Sequence, residues 1–329
     1  MLCPGQGAYG PGALRGVAHV PQVIHTLVAI DAVRPATKHT VTRTLTDPDA
    51  PGPDALLADD PLAFDLATYA GAVACGTFLR HSSQGRPRWV MGHSVGDIAA
   101  LAVAEAITPA TGARILHTRH TLLRNLPPPA APDSAGMLAL ALPVAEVTAL
   151  LAVTGLHHTR PAGDNAPGQT VVSGPSHELK ILHALARTAK IRCTRLASRT
   201  GYHHPHLSAI AEEFHTYLRT VDLRTPTVPL YSSALAGPVH TPARLRELAG
   251  HHLTRPVQFQ ASLHDLHRQG VNVFIDTGPG ALLSPLVRAT LPTATVIAPL
   301  RGHAAPHLVE RRLNACAPLT PPVRQHRSE

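Results

Sequence analysis

Residues 87–106 read PRWVMGHSVGDIAALAVAEA, and the order of the parts decides the fold. The apolar run WVM fits a short buried strand, GHSVG supplies a glycine-flanked turn, and DIAALAVA is apolar nearly all the way round, as a central helix is. Strand, tight turn and helix form the unit from which parallel sheets are wound. The unit sets Ser94 on the turn, with its hydroxyl pushed out of the backbone and the first amides of the helix beside it as donors for an oxyanion. Gly92 and Gly96 let the chain turn and let neighbouring elements approach. Ser94 is therefore a candidate nucleophile, although a serine that merely fills a turn would give the same five-residue pattern.

The remaining composition agrees with such a unit. A chain of 329 residues is long enough for one large α/β unit with a smaller one inserted or appended. Apolar residues make up 44%, charged residues 15% and aromatics only 3%, so the core must be built mainly from Leu, Val, Ile and Ala. Cys3, Cys75, Cys193 and Cys316 show no C-x-x-C pairing, which argues against a disulfide framework or a cysteine-rich zinc site and favours a cytoplasmic protein. No run approaches the roughly 18 apolar residues of a membrane span, and the N-terminus lacks a secretory pattern, so no membrane partner is expected. A formal charge of +8 suits nucleic acid, an anionic surface or an acidic protein. The arginines are spread along the chain without a basic stripe, so nucleic acid is not expected, while an acidic partner or anionic substrate stays open.

Two proline-rich stretches, TDPDAPGPD (46–54) and NLPPPAAPDS (125–134), read as loops. After the second, strand MLALAL (137–142), helix PVAEVTALLAV (143–153) closed by Gly155, an edge segment, strand QTVVSG (169–174), helix SHELKILHALARTA (176–189) and strand IRCTRL (191–196) follow. In that second helix Leu179, Leu182, Leu185 and Ala186 share one face. The order βαββαβ over about 60 residues is the ferredoxin-like arrangement. Beyond it come an amphipathic helix with Leu207, Ile210, Ala211, Phe214 and Leu218 at helical spacing, then strands VPLYSS (228–233) and VNVFID (271–276). The sequence thus divides into a large α/β subdomain over 1–134 and 199–316, a small one over 135–198, and a loose tail at 317–329.

A serine nucleophile needs a base, and 23 histidines are too many to choose among by count. The stretch TGYHHPHLSAI (200–210) sets His203 just ahead of an amphipathic helix, after the strand that leaves the small insert. The alternatives are a solvated loop histidine, or a metal site of His203, His204 and His206, which no carboxylate or cysteine accompanies.

Taken together, these motifs resemble the malonyl-CoA:acyl-carrier-protein transacylases and the acyltransferase domains of polyketide synthases, along nearly the whole chain and in order. PGQG (4–7) resembles the family's N-terminal loop, GHSVGD (92–97) its nucleophile turn, and Arg119 its carboxylate-binding arginine. Gly136–Met137 resembles the start of its small subdomain, DNAPGQTVVSG (164–174) a strand of it, and TGYH (200–203) its four-residue specificity motif ending in the catalytic histidine. RPVQF (255–259) resembles a supporting loop and FIDTGPG (274–280) a late strand and turn. The resemblance implies an α/β-hydrolase-like large subdomain and ping-pong acyl transfer, in which Ser94 attacks an acyl thioester, His203 serves as base and then acid, and a carrier-protein thiol accepts the acyl group. It implies an oxyanion hole from the backbone amides of Gln6 and Val95, and Arg119 forked onto a malonyl-type carboxylate. His93, Tyr202, Gly201 and Thr200 would line or support the acyl site. No metal is implied, and no cofactor beyond the CoA or phosphopantetheine that the substrates carry; the partners are an acyl-CoA donor and an acyl carrier protein.

Some residues depart from the pattern. TGYH is neither of the common HAFH or YASH motifs, Asp60 stands where glutamine is usual, and Tyr9 replaces a second glutamine. Only three residues precede PGQG, so the central strand expected there is stunted or the start is late. These changes bear on the acyl group, leaving malonyl loading from CoA and the shuttling of an unusual acyl or aminoacyl group between carriers as the two versions. An α/β-hydrolase using water, with an acidic third triad member, is the rival enzyme class. A non-catalytic carrier-binding module is the rival from another class.

Overall fold

The chain opens in a two-residue strand, β1 (Leu2–Cys3), paired in parallel with β2 (Val90–Gly92), Leu2 opposite Met91 and Cys3 opposite Gly92. This computed structural model describes residues 1–33, 38–82, 87–125, 135–198 and 200–315. Between β1 and β2 lie α1 (Pro21–Asp31), α2 (Val41–Thr46), α3 (Pro53–Asp59) and α4 (Pro61–Ser82); α5 (Gly96–Val103) and α6 (Pro109–Arg124) follow β2. Then come β3 (Ala135–Leu140), α7 (Val144–Thr154), β4 (Arg160–Ala166), β5 (Gln169–Pro175), α8 (Ser176–Thr188) and β6 (Cys193–Arg195). The chain continues through α9 (Ser208–Leu218), β7 (Leu230–Ser232), β8 (Gly237–Val239), α10 (Pro242–His251), β9 (Val257–Gln258) and α11 (Phe259–Arg268). It ends with β10 (Val273–Ile275), α12 (Ser284–Thr290), β11 (Thr295–Ile297) and α13 (Pro306–Asn314).

Proline does much of the helix starting. It occupies the first turn of α1, α3, α6, α10 and α13, where its missing N–H is no loss and its fixed φ suits the helix. At α6 and α10 a threonine completes the start: Thr108 and Thr241 accept the N–H of Thr111 and Arg244. The stretch 46–54 is a loop only between Asp47 and Gly52, because Pro53 already opens α3. The second proline-rich stretch lies outside the described residues from 126 to 134, as does the tail from 316 onward.

Strand order in the main sheet is β1-β2-β7-β8, with β2 parallel to both β1 and β7 and β8 antiparallel at the edge. The parallel pair β10–β11 adjoins it through a bridge from Leu2 to Asp276. Asp276 organises that junction. Its carboxylate accepts the N–H groups of Gly278, Leu283 and Ser284 and the Ser284 hydroxyl, while Thr277 donates both N–H and hydroxyl to the Leu2 carbonyl. The FIDTGPG motif is thus the clamp that holds the N-terminal strand.

Helix α4 is long and apolar enough to cross a membrane, which the sequence reading did not anticipate, but 94% of its apolar window is buried inside the protein. It is the core helix, packed against α1 and α5, and each large apolar side chain it takes from water contributes about 1.5–3 kcal/mol.

The segment from β3 to β6 forms a second sheet in the order β6-β3-β5-β4, antiparallel throughout, with α7 and α8 packed on it over Leu138, Leu140, Val147, Leu151, Val172, Leu179 and Leu182. Gly155 ends α7 at φ 70°, the left-handed cap its position in the sequence implied. Two details differ from the sequence reading. Leu185 is exposed, because α8 turns only Leu179, Leu182 and Ala186 of the four inward. A fifth strand, β9, joins in parallel beside β4, Val257 opposite Gly163, so the sheet draws on chain outside the insert.

Candidate active site

The turn after β2 is strained at one residue. Ser94 has φ 56°, a left-handed conformation that costs a non-glycine residue about 1–3 kcal/mol. The turn closes only because its neighbours lack side chains: a Cβ at Gly92 would run into the backbone nitrogen of Asp97, and one at Gly96 into the carbonyl of Cys3. The Ser94 side chain therefore leaves the sheet at the N-terminus of α5, as the sequence implies.

His203 meets it there. Its Nε2 lies 2.7 Å from Ser94 Oγ, and its Nδ1 lies 2.8 Å from the Arg255 carbonyl. A carbonyl can only accept, so Nδ1 carries the hydrogen and Nε2 offers its lone pair to the serine hydroxyl. His203 also has a left-handed φ, 59°, and is almost wholly buried. Burial pushes its pKa down to about 4, so the imidazole is neutral at pH 7 and available as a base. Among the described residues no carboxylate orients it. Asp97, the nearest acid in sequence to Ser94, is buried with Oδ1 unpaired, and burial pushes its pKa up to about 8.

The resemblance assigns an oxyanion hole to the backbone amides of Gln6 and Val95. Among the described residues, neither N–H enters a hydrogen bond. Gly5, which precedes Gln6, packs against the Ser94 Cβ and the Val95 side chain, which brings the PGQG loop over the serine. His93 makes its contacts with the small sheet and α11: its Nε2 is 2.8 Å from Asn165 Oδ1 on β4, and its ring meets Phe259 edge-on at 5.1 Å. It ties the nucleophile turn to the small sheet. Strand β9 does the same for the base, since it begins two residues after Arg255.

Arg119 is arranged differently from the expected open fork. It projects from α6 and is only 1% exposed. Nη2 donates to Asp65 Oδ2 at 2.7 Å, Nη1 lies 3.1 Å from His252 Nε2, and the guanidinium carbon sits 5.1 Å from the centre of the Tyr202 ring. Asp65 comes from α4 and is 4% exposed; its other oxygen accepts Gln6 Nε2 at 3.0 Å. One carboxylate thus links the PGQG loop to the arginine. Beside this cluster is a cavity of about 400 Å³ whose lining includes Asp60, Asp65, Arg124, Thr200 and Tyr202. Gly201 packs against Ala135 and the His206 ring. Asp60 caps α4 through the N–H of Ala63, and Tyr9 donates to the Pro51 carbonyl.

The three neighbouring histidines do not converge on one point. His203 turns to Ser94, whereas His204 and His206 share a contact at 2.7 Å and His204 Nε2 reaches the His158 carbonyl. The sequence reading missed Asp65, His252 and Asn165. Asp65 had a signal, a lone acid inside the apolar run LAFDLATYAGAVA, but nothing in the sequence pointed to its partner.

An α/β fold with a serine–histidine pair at a strand–turn–helix elbow is the class that this architecture defines. Within that class the chain belongs to the acyl transferase domain family, whose pattern matches residues 70–312. It is 27% identical over 293 residues to erythronolide synthase EryA2 of Saccharopolyspora erythraea and 30% identical over 303 residues to polyketide synthase GfsB of Streptomyces halstedii, in each case across 88% of this chain. It spans only 8% and 5% of the length of those proteins. Among solved structures, the malonyl CoA-acyl carrier protein transacylase of Coxiella burnetii superposes with a TM-score of 0.83 at 20% identity, covering 95% of this chain and 96% of that one. The malonyl-transacylase solved with the type II polyketide carrier protein AntF gives 0.82 at 21%, covering 95% and 98%. Those likenesses establish the fold.

Proposed function

We propose that this protein is an acyltransferase that passes an acyl group through an ester on Ser94 to the phosphopantetheine thiol of an acyl carrier protein. The observation that carries the reading is the contact of 2.7 Å between Ser94 Oγ and a neutral His203 whose other nitrogen is fixed on a backbone carbonyl. In the first half-reaction His203 Nε2 takes the hydroxyl proton as Oγ adds to the thioester carbonyl. The oxyanion lies between the amides of Gln6 and Val95, and its collapse expels the donor thiolate, which takes the proton back from His203. In the second half the carrier thiol gives its proton to His203, its sulfur adds to the ester, and Ser94 leaves with that proton. CoA or a carrier protein can present the donor thioester.

Several features support the details. The strand order β6-β3-β5-β4 with two helices supports reading 135–198 as a ferredoxin-like small subdomain within an α/β-hydrolase-like large one of 1–134 and 199–316. An orienting carbonyl in place of a carboxylate favours transfer over an ordinary hydrolase triad. The charge of +8, with Arg288, Arg301 and Arg312 around a second cavity of about 420 Å³, suits an acidic carrier protein.

Intact-mass spectrometry after exposure to acyl thioesters, followed by discharge to holo carrier protein or to water, tests the reading. A single acyl adduct that is lost in Ser94→Ala and discharges faster to carrier protein than to water is the expected result. An adduct that persists in Ser94→Ala, or one that only hydrolyses, would overturn it.

A further inference from the structure

The resemblance gives Arg119 the task of holding a substrate carboxylate, but the fold already holds a carboxylate against it. Asp65 Oδ2 takes Nη2, the His252 ring takes Nη1 and the Tyr202 ring lies along the guanidinium. With both partners almost fully buried, the pair carries no net charge. We infer that Asp65 occupies the carboxylate position on Arg119, so that the acyl group Ser94 accepts carries no carboxylate of its own. The inference rests on the acyl-transfer reading above and deepens it.

The electrostatics run one way. A malonyl carboxylate brought to Arg119 would lie beside Asp65, and two carboxylates sharing one cation repel unless one takes up a proton. Displacing Asp65 instead would leave a buried charge without its partner and would also free the Gln6 side chain it anchors. The other ionisable groups facing the cavity do not restore a cation for the substrate. Asp59 and Asp60 add negative charge, burial pushes the His120 pKa down, and Arg124, the other arginine in the lining, has those two acids in the same cavity. Arg119 keeps Nε without a partner. Asp65 and His252 take two of the five guanidinium N–H groups; a second carboxylate reaching the rest would sit beside the Asp65 charge, whereas the oxygen of an uncharged chain can accept from them at no such cost.

The ratio of loading rates tests this directly, because a purely structural role for the pair would change all thioesters alike. Acetyl, butyryl, malonyl and methylmalonyl thioesters, each on CoA and on holo carrier protein, are offered to the wild-type protein, and the Ser94 adduct is followed by intact mass. Acetyl or butyryl should load at least about tenfold faster than malonyl or methylmalonyl, since two carboxylates that share one cation shift each other's protonation by about one pKa unit or more, a factor of ten. Asp65→Asn keeps the size and one acceptor oxygen while removing the charge, and should raise the malonyl-to-acetyl ratio several-fold; Asp65→Ala should raise it further. Wild-type protein that loads malonyl faster than acetyl and butyryl overturns the inference, as does an Asp65→Asn ratio equal to wild type; either leaves Ser94 acyl transfer standing. If none of the eight donors loads Ser94, the acyl-transfer reading itself falls, and the inference with it.

Discussion

The two sides of Ser94 are built on different principles. On the nucleophile side the working groups are backbone: a left-handed residue at the elbow, two amides with no internal partner, and the Arg255 carbonyl behind His203. On the Arg119 side they are side chains from α4, α6 and the loops near α10, each held by another. The first side leaves its two amides free for a substrate, whereas on the second the arginine already has an anion and a ring nitrogen against it. In the proposed reading, reaction type and acyl choice are set by separate parts of the molecule, and one can change without the other.

The largest expected effect lies on the nucleophile side. His203→Ala should slow acyl loading by about two to four orders of magnitude, the usual worth of a positioned base, and should slow every thioester by the same factor. Single-turnover mass measurements check this. A loss confined to one acyl group would assign His203 to recognition and erase the distinction between the two sides.

Acid sharpens the same contrast. Burial holds the folded-state pKa of His203 at about 4, and His93 and His252 are shifted in the same direction by the same cause. The unfolded chain takes up these protons first as pH falls from the ordinary value of about 6.5, so stability declines between about pH 6.5 and 4 and recovers as pH rises through that window. The loading rate, which needs neutral His203, should stay level on its account down to about pH 5 while Tm already drops. A rate that halves near pH 6.5 with Tm unchanged would place His203 in contact with solvent.

Asn165→Ala should have a smaller effect. It leaves the half-buried His93 ring nitrogen without a partner, a loss of about 1 kcal/mol. Denaturant unfolding should register that loss, and loading should fall only a few-fold for all acyl groups. Unchanged stability would mean that the small sheet is not tied to the elbow through His93.

How far the sequence could be read follows from the same division. Ser94 was legible because an elbow demands small residues at fixed offsets, and glycines at 92 and 96 are visible in one line of text. The β3–β6 pattern was legible because helical and strand periods alternate at short range; its fifth strand was not, since β9 arrives from about ninety residues downstream. His203 could be selected among 23 histidines only through the resemblance, because its orienting partner is a carbonyl that any residue could provide. Arg119 was found, but its state was not. Asp65 and His252 lie 54 and 133 residues from it along the chain, and no spacing rule connects an acid in an apolar helix to a cation on another. The length of α4 likewise suits a membrane span by composition alone, and only packing shows it to be core.

The smallest effect concerns the ring under Arg119, and it separates packing from hydrogen bonding on the recognition side. If the face of Tyr202 is what steadies the guanidinium, Tyr202→Phe should keep stability and acyl preference close to wild type, because the ring remains. Tyr202→Leu removes the aromatic face and should cost about 0.5–2 kcal/mol, the range for a cation–π contact from exposed to desolvated sites. With Arg119 less firmly held against Asp65, the malonyl-to-acetyl loading ratio should move slightly in the direction expected for Asp65→Asn. Unfolding curves and the same mass assay report both quantities. A Tyr202→Phe protein as damaged as Tyr202→Leu would show that the hydroxyl carries the contribution, and the arginine would then be held by Asp65 and His252 alone.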